Sequence, residues 1–205
     1  MGKCLEKLLK DRNIFRSKIF HTLFLVELGS LFDLFLKYIY DTVMIYSPLA
    51  GIRGKDYRIT QGFGKRKSYY KQFGLEGHDA LDFAGPKAGD KVPCYSSFDG
   101  YIKKMGWSKY GYGNYIEFVT SPDKDGNIRE LIYAHLDSFA PGLVVGMRVP
   151  IGDQLGIIGT TGNSTGVHLH LAMRKIDPDT HAVINEDNGF KGRFDYEPWI
   201  RDWIL

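Results

Sequence analysis

The sequence predicts a mainly β protein: an antiparallel β domain preceded by a helical extension. Three observations predict it. From Ser47 onward the chain breaks into short apolar or alternating runs bounded by Gly, Pro, Asn, Asp or Ser, the pattern of strands joined by tight turns. The 205 residues include 24 glycines, 13 tyrosines and 13 phenylalanines, a composition that leans toward strands and turns. The first 46 residues differ from the rest, being nearly free of Gly and Pro and rich in Leu, Phe, Ile and Lys. The chain therefore divides into a helical extension (1–46), a β domain (47–176) and a polar tail (177–205).

Within the extension, Glu27, Ser30, Asp33, Lys37 and Asp41 recur at steps of three and four, which places them on one stripe of a helix. The remaining arc is apolar. Lys3, Lys7, Lys10, Arg12, Arg16 and Lys18 precede it as a cytoplasmic basic flank would. The charges from Glu27 to Asp41 are costly inside a bilayer. Three readings stay open: an amphipathic helix docked on its own domain or on a second copy, a membrane-associated anchor, or a misassigned start with Met44 opening the functional chain. No A-x-A-like site follows the apolar run, which argues against a cleaved secretory signal.

The β domain reads in order as "DYRITQGFG", "ALDFAG", "KVPCYSSFDGYIKKMG", "YGNYIEFVTS", "RELIYAHLD", "RVPIGDQLGIIG" and "VHLHLAMRK". "SPDKDGN", Ser121 to Asn127, has the chemistry of a hairpin loop joining "YIEFVT" to "IRELIYAHL". Cys94 falls in a core strand as a buried thiol. Cys4 and Cys94 have no CxxC partner, so neither a disulfide framework nor a thiolate metal site follows. In the tail, Trp199, Ile200, Trp203 and Ile204 of "YEPWIRDWIL" predict a short closing helix. A formal charge of +3 suits an anionic polymer or surface but falls short of a nucleic-acid footprint, so no nucleic-acid partner is expected.

The chemistry lies in the histidines. "TGNSTGVHLHLAMR", Thr161 to Arg174, carries two of the six, separated by one leucine. In a strand, alternate side chains share a face, so His168 and His170 are presented together. The same rule puts His78 and Asp82 of "GHDALDF" on one face if that segment is extended, and Tyr133 on the side of His135 in "IYAHL". Two imidazoles and a carboxylate suit Zn²⁺, and a catalytic zinc typically keeps three protein ligands with one position for water. Each histidine taken singly fits a surface or core role; the combination is what points to a metal.

Taken together, "ITQGFGKR", the H-x-x-x-D of "GHDALDF", "LIYAHLDSF" and the H-x-H of "GVHLHLAMR" resemble, in order and spacing, the lysostaphin-type or LytM-type zinc metallopeptidases of the M23 family. The resemblance runs from about Arg58 to Lys175. It implies that His78, Asp82 and His170 bind zinc and that His135 and His168 line the cleft as catalytic groups. Many members carry glycine where Ala80 stands, a change confined to local packing. The implied function is a zinc-dependent endopeptidase acting on the peptide stems or cross-bridges of peptidoglycan, in the cell envelope or outside the cell, membrane-associated or phage-borne. Two other classes remain in play: a non-catalytic regulator or wall-binding module, and an assembly component of a phage or secretion machine that carries a lytic domain. The N-terminal helix would serve membrane contact or self-association.

Two further segments carry weaker signals. "GIIGTTGNSTG", Gly156 to Gly166, lacks the lysine and the following helix of a phosphate-binding loop, and reads as the turn that positions the H-x-H strand. "GKRKSYYKQFG", Gly64 to Gly74, is either a solvated loop or a cleft wall touching an anionic glycan-peptide. His21 and His181 have no assigned role.

Overall fold

The computed structural model describes residues 45–203. Residues 1–44, which carry nearly all of the expected helical extension, lie outside the described residues. Ile45 and Tyr46, expected to end that helix, instead form a strand, β1 (Ile45–Tyr46), paired in parallel with β11 (Ile200–Arg201). Among the described residues, no helix is long and apolar enough to cross a membrane.

The body is a nine-stranded antiparallel sheet, as the punctuated sequence predicts. Its strands are β2 (Arg58–Gln61), β3 (Leu81–Ala84), β4 (Pro93–Tyr95), β5 (Gly100–Ser108), β6 (Gly113–Thr120), β7 (Ile128–Phe139), β8 (Arg148–Val149), β9 (Gln154–Ile158) and β10 (Leu169–Ile176). They run in the order β2-β3-β10-β7-β6-β5-β8, with β9 pairing both β7 and β4. One short helix, α1 (Lys67–Tyr70), and a 3₁₀ turn (Lys71–Phe73) follow β2.

The predicted hairpin loop joins β6 to β7. Asp123 fixes it by accepting hydrogen bonds from the backbone N–H groups of Asp125 and Asn127 and by pairing with Arg129 at 2.7 Å.

Register decides which face of the sheet does what. Phe83 pairs with Leu169, Leu81 and Tyr133 both pair with Leu171, and Ile116 pairs with Tyr133. All six are fully buried and form the core face, each large side chain contributing roughly 1.5–3 kcal/mol on burial. On the other face Asp82 pairs with His170, His170 with Ala134, and Ala172 with Ile132. There Ala80, Ala134 and Ala172 form a floor of small side chains with Ile132 and Tyr115. This second cluster is buried as well, with Tyr112 packed against it.

The tail departs from expectation. In place of a closing helix it makes one 3₁₀ turn, Glu197–Trp199, and then β11. Pro198 explains the difference: it disfavours α geometry at Glu197 and cannot donate a backbone hydrogen bond. The chain then runs on extended beside β1, and Trp203 packs edge-on against Tyr95.

Candidate active site

β3 and β10 are neighbours, and the Asp82–His170 register pair puts a carboxylate beside an imidazole on the alanine-floored face. His78 reaches the same point from the segment before β3. That segment is not extended as the spacing rule assumed; it bends at Ala80. Backbone bonds to the loop after β2 hold it: the His78 N–H donates to the Lys65 carbonyl and the His78 carbonyl accepts from Gly64, both at 2.8 Å. The imidazole also lies against the Tyr70 ring, 5.2 Å between centroids.

His78 Nε2 is 3.1 Å from Asp82 Oδ1, His170 Nδ1 is 3.2 Å from the same oxygen, and the two nitrogens are 3.1 Å apart. One donor atom from each residue thus falls within 4.8 Å of the others, and all three residues are buried. Burial pushes the Asp82 carboxyl up, but its close contacts with the His170 and His78 imidazoles outweigh it and hold the group ionised well below the usual carboxylate range. A buried carboxylate facing two imidazole nitrogens is the chemistry of a divalent-cation site.

His135 and His168 stand beside this group, their ring centroids 4.9 Å apart and that of His135 5.7 Å from His170. Strict alternation along β7 would put His135 and Tyr133 on one face, as the spacing predicts, which with Tyr133 in the core would bury His135 there too. The structure reverses this. His135 has φ 63°, the left-handed region, and the β6–β7 register shifts between Ile116 and Asn114. The irregularity turns the imidazole to the cleft side while Tyr133 stays in the core, its hydroxyl accepting from the Ser97 N–H at 3.0 Å. A non-glycine residue held in this way costs of order 1–3 kcal/mol. Two bonds offset it, from the His135 N–H to the Tyr112 carbonyl at 2.7 Å and from Nδ1 to the Thr161 carbonyl at 2.8 Å.

The segment from Gly159 to His168 therefore does what its turn residues suggest. It positions the H-x-H strand through a Gly159–His168 bridge, and it also orients the second catalytic candidate. Burial, then the neighbouring His170 and His168, push the His135 pKa down to about 4, so its imidazole is neutral near pH 7.

The cleft above these residues has a volume of about 530 Å³. Of the two readings of "GKRKSYYKQFG", the structure realises the cleft wall: Arg66, Tyr69, Tyr70 and Phe73 line one side. Tyr69 reaches the opposite loop, where Asn163 Nδ2 donates to its hydroxyl at 3.2 Å. Burial and the nearby Asp82 charge push the Tyr70 hydroxyl up to about 12, and Gln61 donates to it.

Of the five sequence-predicted residues, Asp82, His135, His168 and His170 line this cleft, and the fully buried His78 joins Asp82 and His170 from beneath. Sequence reasoning missed the groups around them: the carbonyls of Gly62, Thr161 and Gly166, and the buried Asp79 and Arg193 with the half-buried Tyr112. Asp79 forms an ion pair with Arg193, and Arg193 donates to the Tyr112 hydroxyl at 2.9 Å. Arg193 lies in the polar tail, where nothing in the local sequence distinguishes it from a surface charge.

Compared with known families, residues 76–185 match the family described as peptidase family M23. The DD-carboxypeptidase/endopeptidase Mpg of Neisseria meningitidis serogroup B is 38% identical over 99 residues, which is 47% of this chain and 20% of that protein. Peptidoglycan DD-endopeptidase ShyA of Vibrio cholerae is 31% identical over 117 residues, 57% of this chain and 25% of that protein. The chain thus spans only a fifth to a quarter of the length of these curated relatives. Among solved structures, Helicobacter pylori Csd3 in its orthorhombic crystal is similar at 25% identity and a TM-score of 0.51, over 77% of this chain and 35% of that one.

Proposed function

The chain belongs to peptidase family M23, and from that premise we propose that it is a zinc-dependent metalloendopeptidase that hydrolyses peptide bonds in the stems or cross-bridges of bacterial peptidoglycan. One observation carries the reading: the donors of His78, Asp82 and His170 converge within 4.8 Å beneath a cleft that also presents His135 and His168. The names of the relatives, DD-endopeptidases among them, support the substrate class. That substrate places the working site in the cell envelope or outside the cell.

The residues fit a zinc ion. The set is two borderline nitrogen donors and one carboxylate oxygen, the donor types of catalytic zinc sites. His78 Nδ1 lies 3.1 Å from the Gly62 carbonyl, so Nδ1 carries the proton and Nε2 keeps its lone pair toward the cluster. When bound, zinc supplies Lewis acidity, polarising the scissile carbonyl and making water a nucleophile near neutral pH.

The chain's own groups handle the protons. A carbonyl only accepts, so the Thr161 and Gly166 carbonyls, each 2.8 Å from an Nδ1, fix His135 and His168 with the proton on that nitrogen. In its neutral form each imidazole then presents a lone pair at Nε2. One imidazole can take the proton of the attacking water and the other can meet the developing oxyanion once it has gained a proton, a division worth roughly 10²–10⁴-fold in rate.

Purified protein incubated with peptidoglycan, with and without a chelator, tests the reading when new amino termini are identified by mass spectrometry. Chelator-sensitive release of new termini is expected. Absence of new termini, or release that the chelator leaves untouched, would overturn it.

A further inference from the structure

Four histidines meet at the cleft, and three have their tautomer set by a backbone carbonyl. His78, His135 and His168 place Nδ1 at 3.1, 2.8 and 2.8 Å from the carbonyl oxygens of Gly62, Thr161 and Gly166. His170 is turned the other way. Its Nδ1 faces His78 and Asp82, while its Nε2 is buried with no hydrogen-bond partner. If Nδ1 is to donate a lone pair to an ion, Nε2 must carry the proton. A buried N–H without an acceptor costs roughly 1–3 kcal/mol.

A carboxylate stands ready to accept it. Asp79 Oδ1 lies 3.9 Å from His170 Nε2, and both side chains are almost fully buried. That separation exceeds a hydrogen bond by less than about 1 Å, within reach of a small rotation of either group. The other oxygen of Asp79 is held by Arg193, whose second nitrogen donates to the Tyr112 hydroxyl. The Tyr112 carbonyl in turn receives the His135 N–H. One arginine from the tail is therefore linked to a candidate ligand on one side and to a candidate proton carrier on the other. Buried ion pairs add little net stability, because desolvation offsets the attraction. What this pair does supply is direction for a carboxylate.

We propose that Asp79 is a positioning residue of the metal centre: its carboxylate accepts a hydrogen bond from the Nε2–H of His170, fixing the imidazole with Nδ1 toward the ion, and Arg193 holds Asp79 in that orientation. The inference rests on the metal reading of His78, Asp82 and His170. It makes the C-terminal segment part of the site, since Arg193 lies beyond the 76–185 span of the family match.

The test uses the full chain and zinc itself. Affinity is measured by competition with a chromophoric chelator, and the His170 tautomer is read from ¹⁵N imidazole spectra. Asp79→Asn turns an acceptor into a side chain that can present a donor, and is expected to weaken zinc binding by roughly 10–100-fold. The double variant Asp79→Leu/Arg193→Met leaves no charge buried alone, so it should fold even where the single change does not, and it should lose affinity to a similar extent. Arg193→Lys keeps a cation beside Asp79 and should lose less. In the zinc-loaded wild type, His170 should show a hydrogen-bonded, slowly exchanging Nε2 proton. Wild-type affinity in the folded double variant, or a wild-type spectrum without that proton, overturns the proposal while leaving the metal reading intact. A wild type that binds no zinc overturns both.

Discussion

His135 donates from Nδ1 to the Thr161 carbonyl, 2.8 Å away, and it does so from a left-handed backbone position. The bond and the strain belong together. Without the turn of φ, β7 would send this imidazole into the core; without the carbonyl, nothing would fix which nitrogen keeps its lone pair. The loop that supplies the carbonyl is itself tightly seated. Thr161 Oγ1 donates to the Leu136 carbonyl at 2.8 Å and accepts from the Asn114 N–H at 3.0 Å.

Gly162 should therefore be intolerant of change. Its φ is 73°, and a Cβ there would sit 2.2 Å from the backbone nitrogen of Gly113, which cannot move without breaking β6. Gly162→Ala is expected to displace the Thr161 carbonyl and lower cleavage by roughly tenfold or more, the scale of losing an oriented catalytic group. Zinc content should stay near wild type, because the three donors lie on β3, β10 and the segment before β3. A variant with full activity would show that the Thr161 bond is dispensable.

The two classes of histidine should separate in the same assay. His135→Ala and His168→Ala are expected to keep the metal and lose roughly 10²-fold or more in kcat. His78→Ala, Asp82→Ala and His170→Ala should lose the metal and activity together, measured by metal analysis after gel filtration alongside turnover. A His135→Ala protein that turns over at the wild-type rate would remove His135 from the reaction.

Acid should weaken the fold through Glu130. Burial pushes its carboxyl up, but the hydrogen bond from Lys103 at 2.5 Å and the charge and hydrogen bonds of Arg174 outweigh it, so its folded pKa lies below the ordinary value. A depressed carboxylate contributes stability that is complete above its unfolded pKa, about 4.3, and is lost as pH falls through the lower folded value. Glu130→Gln should cost roughly 1–3 kcal/mol at pH 7, since both cations keep partial contact with water. In urea titrations the gap between wild type and variant should close below about pH 4. A gap that is unchanged at pH 3 would contradict this assignment.

Burial likewise pushes the Cys94 thiol up to about 12. At pH 8 only roughly one molecule in 10⁴ would carry the thiolate, the form that alkylating reagents attack. Peptide mapping after iodoacetamide should find Cys94 unmodified in the native protein and modified in urea. Rapid labelling of the folded chain would mean that β4 does not pair with β9 as described.

How much of this was legible depended on which forces act locally. The strands could be read because turn residues punctuate them, and the five site residues because their spacing was that of a recognisable family. The separation of His135 from Tyr133 was not, since alternation puts the two on one face and only the left-handed residue and the register shift beside it part them. Nor was the Asp79–Arg193 pair, whose partners are 114 residues apart and are joined only when the tail folds back over the sheet. The closing helix failed at Pro198, a signal that was present in the sequence and was outweighed by the apolar pattern around it.

The cleft wall provides the last prediction. Arg66 lies over the Tyr69 ring at 4.8 Å, and Tyr69 receives the Asn163 amide across the cleft, so these two side chains are held without touching the metal donors. Contacts made equally to substrate and transition state change KM and leave kcat alone. Arg66→Ala and Tyr69→Ala are therefore expected to raise KM on soluble cross-linked muropeptides by roughly 5–30-fold, the equivalent of about 1–2 kcal/mol from one aromatic or cationic contact, with kcat within about twofold of wild type. Tyr70→Ala should behave differently. Its ring backs His78, so its loss should lower metal affinity as well, and the split between KM and metal binding distinguishes a substrate wall from a support for the ligand. If Tyr69→Ala lowers kcat and leaves KM unchanged, the wall acts on the reacting groups and its assignment to substrate binding fails.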